Sequence, residues 1–238
     1  AGAIAISTGL GATSSFFLPF LTFAGAVASA FVVYFVASLG GGRASLMGLI
    51  LCGVALNSLF GSLTTLILSL SKDYEISRQI FFWLMGGLDG RGWSHVQMIL
   101  PFVFSGTVAA LFLSRDLNLL LLGDETASSL GVHVEQSRRF LLFFASLLAG
   151  SAVAIAGTIG FVGLVVPHIM RSIVGTDHSL LVPASALGGA VFLVWCDLLC
   201  RVLIPFQEIQ LGIVTALLGA PFFLHLLIKQ DLGYSRAA

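Results

Sequence analysis

The chain has 238 residues, 58% of them hydrophobic and 9% charged, and its 11 basic and 11 acidic side chains cancel to a net charge of zero. A soluble domain carries about 25% charged residues, so these few cannot cover a globule of this length; a water-soluble fold is excluded and lipid is the solvent. The balanced charge offers no long-range field to recruit nucleic acid or an acidic ligand.

At about 20 apolar residues per membrane helix and some 5 to 10 per connection, the length has room for about eight spans. The chain starts at Ala1 inside an apolar stretch, with no initiator Met, basic n-region or cleavage signal, and reads as the inner part of a longer protein. Residues 1–42 hold no Asp, Glu, Lys or Arg. Gly9, Gly11, Ser14, Ser15 and Pro19 divide that run into a truncated helix ending near Gly11 and a full span over about 16–39. A glycine turn ending at Arg43 leads to a third span, 44–71. The stretch from Lys72 to Trp93 collects six charges around an amphipathic piece, 76–85, and reads as a folded external loop.

A fourth span covers 95–113, and the most polar segment follows at 115–139. Its alternation of Ala127, Leu130, Val132 and Val134 with charged neighbours predicts one or two short helices lying at the membrane surface. Spans over about 138–156 and 159–172 follow, separated by the glycines of GTIGFVG, and spans at 180–199 and 212–228 complete the set. The expected fold is therefore an all-α polytopic membrane bundle of seven full spans and one partial. Threaded alternately, it puts Arg43, Arg115, Arg138, Arg139, Arg171, Lys229 and Arg236 on one side and Lys72, Arg78, Arg91 and Arg201 on the other. The first side is then cytoplasmic, together with the 115–139 loop and the carboxy terminus.

Several features could carry function. Gly53, Asn57, Gly61, Thr65 and Ser69 recur every fourth residue and form one helical stripe. Small residues there suit helix packing, while an amide such as Asn57 in mid-membrane needs a partner or water, which a pathway supplies. Gly157, Gly160 and Gly163, followed by Pro167, suit close backbone approach. His168 could act as a ligand or proton carrier, but with no second ligand at metal spacing it reads as a helix-end histidine bonded to a carbonyl. Asp197 and Arg201 are four apart and can pair. Asp124, Glu125 and Glu135 read as a solvated, partner-facing surface. The cysteines Cys52, Cys196 and Cys200 form neither a disulfide framework nor a zinc site and read as packing residues. No hydrolase, metalloprotease or phosphate-loop motif is present, so ATP chemistry has to come from another chain.

The strings GDETASSLGV (123–132), GTIGFVGLVVPHIMR (157–171), DLLCR (197–201) and GIVTALLGAPFFLHLL (212–227) resemble the FecCD family, the permease subunits of ABC importers for ferric siderophores, haem and cobalamin. The resemblance runs over essentially the whole chain. Family permeases have about ten spans of some 20 residues each, so it implies a single permease domain over residues 1–238 that lacks the first two spans. It further implies a coupling segment at Gly123 to Gly131, including Asp124, Glu125, Ala127 and Leu130, which rests in a cleft of a cytoplasmic ATPase subunit. Arg201 becomes an outward arginine that docks an extracytoplasmic substrate-binding protein, and Ser45 and Leu46 lie at the cytoplasmic gate with the Asn57 stripe above them. The implied partners are a second permease subunit, two ATPase subunits carrying ATP and Mg, the binding protein and membrane lipid. The chain itself would bind no cofactor or metal and would sit in the inner membrane. One departure is Glu208-Ile209-Gln210, where the family has proline at the third position; its loss is expected to loosen the start of the last span. The alternatives are an intramembrane enzyme using His168 or Asp197, which needs the two groups within hydrogen-bond reach, and a permease for free metal ions, which would want more ligating side chains in the spans.

Overall fold

In lipid a backbone must satisfy its own hydrogen bonds, which leaves helices as the natural outcome for long uncharged runs punctuated by glycine and proline. The structure is a computed structural model that describes residues 2–8, 17–39, 46–71, 73–203 and 209–234. Among the described residues every regular element is a helix: α1 (Gly2–Ser7), α2 (Phe17–Leu39), α3 (Leu46–Leu70), α4 (Tyr74–Met85), α5 (Trp93–Phe112), α6 (Ser114–Leu120), α7 (Asp124–Ser129), α8 (Val134–Ala156), α9 (Val162–Val174), α10 (His178–Leu203) and α11 (Leu211–Tyr234).

Five of these, α2, α3, α5, α8 and α10, contain apolar windows long enough to cross a membrane, while α9 and the stretch Leu211–Leu226 of α11 are shorter apolar helices. The 13 residues of α9 rise only about 20 Å at 1.5 Å per residue, against a hydrocarbon core of about 30 Å. Its start is delayed because Gly157 has a left-handed φ of 70° and Phe161 one of 66°, a conformation that cannot propagate a right-handed helix.

The chain forms two compact units. The first comprises Ala1–Phe82 and Arg91–Ile155. Here α1 and α3 pack on α2, Phe23 of α2 meets Phe102 of α5 with ring centroids 5.0 Å apart, and Gly106 of α5 lies under the side chain of Leu148 of α8. The amphipathic piece expected near 76–85 is α4; Asp73 starts it by accepting the Glu75 amide through its carboxylate at 2.9 Å, the usual role of an acidic residue ahead of a first turn. The short helices expected within 115–139 are α6 and α7.

The second unit comprises Trp83–Gly90 and Ala156–Ala238. Helices α9, α10 and α11 pack on one another around a core of Cys196, Cys200, Leu211 and Val214, walled by Leu88, Ile159, Phe192, Leu193 and Ile209. Two of the three cysteines thus act as small buried packing residues, as their apolar setting suggested. Asp177 caps α10 by accepting the Ser179 amide at 2.9 Å.

Candidate functional site

The segment joining α5 to α8 is held together by its own backbone. Gly123 and Gly131 have φ of 98° and 86°, values that glycine adopts without penalty and other residues avoid. The turn at Gly123 lets its carbonyl accept the Ala127 amide at 2.9 Å, and the turn at Gly131 lets the Val132 amide return to the Ala127 carbonyl at 3.0 Å. Ala127 is completely buried and Val132 nearly so, so this short segment has its own apolar floor. Asp124, Glu125 and Leu130 remain exposed, and a polar groove opens beside them, lined by Asp124, Glu125, Ser128, His133, Glu135 and Arg138.

Side chains tie this segment to the first turns of α8. Arg138 donates to both oxygens of Asp124 at 3.1 and 3.2 Å, and the Ser137 hydroxyl donates to the Asp116 carboxylate of α6. One turn earlier, Glu135 accepts the Tyr34 hydroxyl at 2.5 Å, and the Arg139 Nε donates to that same hydroxyl oxygen at 2.8 Å. Arg139 also pairs with Glu135 at 3.3 Å. The start of α8 is therefore bonded to α6 and α7 on one hand and to α2 on the other.

In the second unit, Arg201 does pair with Asp197, its Nε donating to Oδ2 at 2.7 Å. A second carboxylate, Asp89, takes an Arg201 amino group at 3.0 Å. The Arg201 side chain is nevertheless 56% exposed, so this is a surface cluster of one cation between two anions. The approach expected of the GTIGFVG glycines is carried by Gly157 alone: a side chain there would run into the Trp83 carbonyl, whereas Gly160 and Gly163 have nothing within 4 Å of where a Cβ would stand. The close contacts fall on glycines outside that motif, among them Gly86 against Thr158, Gly212 against the Met85 carbonyl and Gly219 against Phe161.

The sequence signature of the FecCD transport family matches residues 1–229. The chain belongs to this family. The FecCD chain is 46% identical over 218 residues to an uncharacterised ABC transporter permease protein, YvrB, of Bacillus subtilis, covering 92% of itself and 61% of that relative. It is 44% identical to the cobalamin import system permease protein BtuC of Halobacterium salinarum over 88% of itself and 55% of the relative. With the Fe(3+) dicitrate transport system permease protein FecD of Escherichia coli it shares 42% over 89% of itself and 65% of the relative. The chain thus spans about three fifths of the length of these relatives. A solved inward-facing conformation of a metal-chelate type ABC transporter matches it with a TM-score of 0.84 and 35% identity, over 96% of this chain and 71% of that one.

Other expected site residues of this FecCD chain fall as follows. Ser45 lies outside the described residues, and Leu46 is described only as the first residue of α3. Asn57 is exposed on α3, and Gly53 and Gly61 of the same stripe have nothing within 4 Å, so the glycines make no packing contact with any described segment. Thr65 satisfies its hydroxyl on the Gly61 carbonyl at 3.0 Å. His168 sits inside α9 rather than at its end, because the helix runs on past Pro167 to Val174; its ring meets Phe222 of α11 edge-on at 6.3 Å, which replaces the expected helix-end carbonyl. At the start of the last span the residue in the proline's place is packed. Gln210 is 8% exposed and Leu211 2%, the Ile213 amide bonds the Gln210 carbonyl at 3.0 Å, and the buried Gln210 amide side chain lies against Gly87. Glu208 lies outside the described residues. Sequence reasoning missed Tyr34, Asp116, Ser137 and Asp89 as partners, since each meets its counterpart across 21 to 112 positions.

Proposed function

We propose that this chain is the membrane-spanning permease subunit of an ATP-driven importer that moves a ferric siderophore or related iron chelate, haem or cobalamin across the inner membrane by alternating access. The observation that carries the reading is similarity of 42–44% to permeases of cobalamin and Fe(3+) dicitrate systems, each extending over more than four fifths of this chain. The alternatives, an intramembrane enzyme and a free-ion permease, are not favoured by these relatives.

On this reading the chain works with a second permease subunit, two ATPase subunits that hold ATP and Mg, and an extracytoplasmic binding protein, and carries no cofactor or metal of its own. The bundle has seven full spans and one partial, with the 115–139 segment and the carboxy terminus in the cytoplasm. Force enters at Gly123 to Gly131. The self-supporting turns and the buried Ala127 support this role, because a lever that transmits displacement must move as a unit. Arg201 docks the binding protein, supported by its exposure and by the charge it presents between Asp89 and Asp197. Ser45, Leu46 and the Asn57 stripe belong to the gate and pathway; an exposed amide on an unpartnered stripe supports this, since such a face in lipid needs water or protein opposite it.

The test is uptake by proteoliposomes holding the full-length permease with its ATPase and binding protein. Labelled ferric siderophore, haem and cobalamin are offered separately, with and without ATP. ATP-dependent uptake of one of the three is expected; a correctly assembled complex that takes up none would refute the proposal.

A further inference from the structure

Within the first unit, α2 and α8 touch at two levels with a gap between them. At the upper level a Cβ on Gly150 of α8 would stand 3.1 Å from the Ala26 Cβ and 3.4 Å from the Phe23 ring of α2, so the two helices are close there. At the lower level the tie is polar: Tyr34 donates to Glu135 at 2.5 Å, accepts from Arg139 at 2.8 Å and lies under the Arg139 guanidinium at 5.9 Å. Between them lies an apolar cavity of about 350 Å³ lined by Val27, Phe31, Leu142, Phe143 and, from the first turn of α3, Leu49. Ala26 and Tyr34 are eight residues apart, or about 12 Å along the helix. The arrangement is a pivot, a compressible gap and a latch.

The residues of α8 that form the latch bracket those that hold the coupling segment. Glu135 and Arg139 bind Tyr34, while Ser137 binds Asp116 and Arg138 binds Asp124. Any rotation or shift of α8 imposed through α6 and α7 therefore reaches Tyr34 directly. Tyr34 lies five residues before the end of α2 at Leu39, so displacement at the latch is carried into the last turn of α2. Apolar packing alone would let α8 slide past the cavity; a directional hydrogen bond to a charged partner resists sliding.

We propose that Tyr34, gripped by Glu135 and Arg139, is the positioning residue through which displacement of the coupling segment is passed to the carboxy-terminal end of α2. This rests on the permease reading above and adds to it a residue and a route.

The experiment uses the full importer in proteoliposomes and compares Tyr34→Phe, which deletes one oxygen and keeps the ring, with Phe31→Leu, which alters the cavity wall without touching the latch. Chelate uptake and ATP hydrolysis are measured together, and the distance between spin labels on the first turn of α8 and the last turn of α2 is followed with and without nucleotide. For Tyr34→Phe the uptake is expected to fall about tenfold, the factor of one hydrogen bond to a charged group, with hydrolysis and assembly unchanged and the melting temperature lowered by about 3–6 °C, the same bond read as stability. The ATP consumed per chelate then rises by the same factor, and the label distance, constant in the parent, becomes nucleotide-dependent. Phe31→Leu is expected to keep the parent's ratio. The inference is overturned if Tyr34→Phe keeps the parent's ratio and constant label distance, or if its uptake falls only in step with loss of assembly. A parent complex that takes up no chelate at all counts against the permease reading instead.

Discussion

Adding one methyl group at each of two glycines in the second unit should shift stability in opposite directions. At Gly212 a Cβ would collide with the Met85 carbonyl oxygen and stand 3.0 Å from its carbon and 3.3 Å from the Thr158 carbonyl oxygen. All three are backbone atoms in segments already bonded together, since the Gly212 amide faces the Gly86 carbonyl and the Thr158 hydroxyl donates to the Leu84 carbonyl. They cannot swing aside as a side chain would. Overpacking of this kind costs about 1–3 kcal/mol, offset by at most about 1 kcal/mol of helix propensity for alanine over glycine. Gly189, inside α10, has nothing within 4 Å, so alanine there collects the propensity alone. A collision with backbone takes the upper end, about 3 kcal/mol, which less about 1 kcal/mol of propensity leaves about 2; with about 2–4 °C per kcal/mol for a chain of this size, Gly212→Ala should melt about 4–8 °C lower than the parent and Gly189→Ala up to about 4 °C higher. Thermal unfolding of the purified full-length protein in detergent, followed by circular dichroism at one scan rate, reads both. A Gly212→Ala variant melting at or above the parent would sink the argument that rigid backbone approach at Met85 holds the start of α11, as would an equal fall for Gly189→Ala.

Leucine at the fully buried Ala127 should cost about 1–3 kcal/mol by overpacking and loosen the segment from the ATPase; co-purification of the ATPase subunit should drop while insertion of the permease is unaffected. Arg201→Glu would set three carboxylates side by side and should abolish most binding-protein association without loss of ATPase assembly, whereas Asp197→Asn removes one of the two anions competing for Arg201 and should hold or strengthen that association; titration of immobilised complex with binding protein distinguishes them. Asn57→Leu touches an exposed position and should change stability by less than about 0.5 kcal/mol while lowering uptake, so equal uptake would remove Asn57 from the pathway.

Much of the architecture was legible because lipid imposes a simple code. A run without charge must be helical, and glycine, proline or a charge cluster marks where it stops; α2, α3, α5, α8 and α10 fall close to the bounds read from those marks. The short helices within 115–139 were legible from the alternation of Ala127, Leu130, Val132 and Val134 with charged neighbours, while the turns at Gly123 and Gly131, with positive φ, came from the structure. What stayed hidden was which small residues are crowded. GTIGFVG suggests three glycine contacts, yet of the three only Gly157 is pressed against a neighbour, the Trp83 carbonyl, while Gly160 and Gly163 stand in open space.

Composition and local pattern alone determined that this chain is a helical membrane protein, where its helices run, and that Asp197 and Arg201 can pair, because each of these depends on neighbours within a few positions. Tertiary structure alone decided that Asp89 completes the Arg201 cluster, that Gln210 is buried against Gly87, and that Tyr34 of α2 bonds Glu135 and Arg139 of α8. Those contacts join positions up to 123 apart. The interaction that selects them is the matching of a donor or a missing side chain on one helix to a surface formed by another, and no local pattern carries that information.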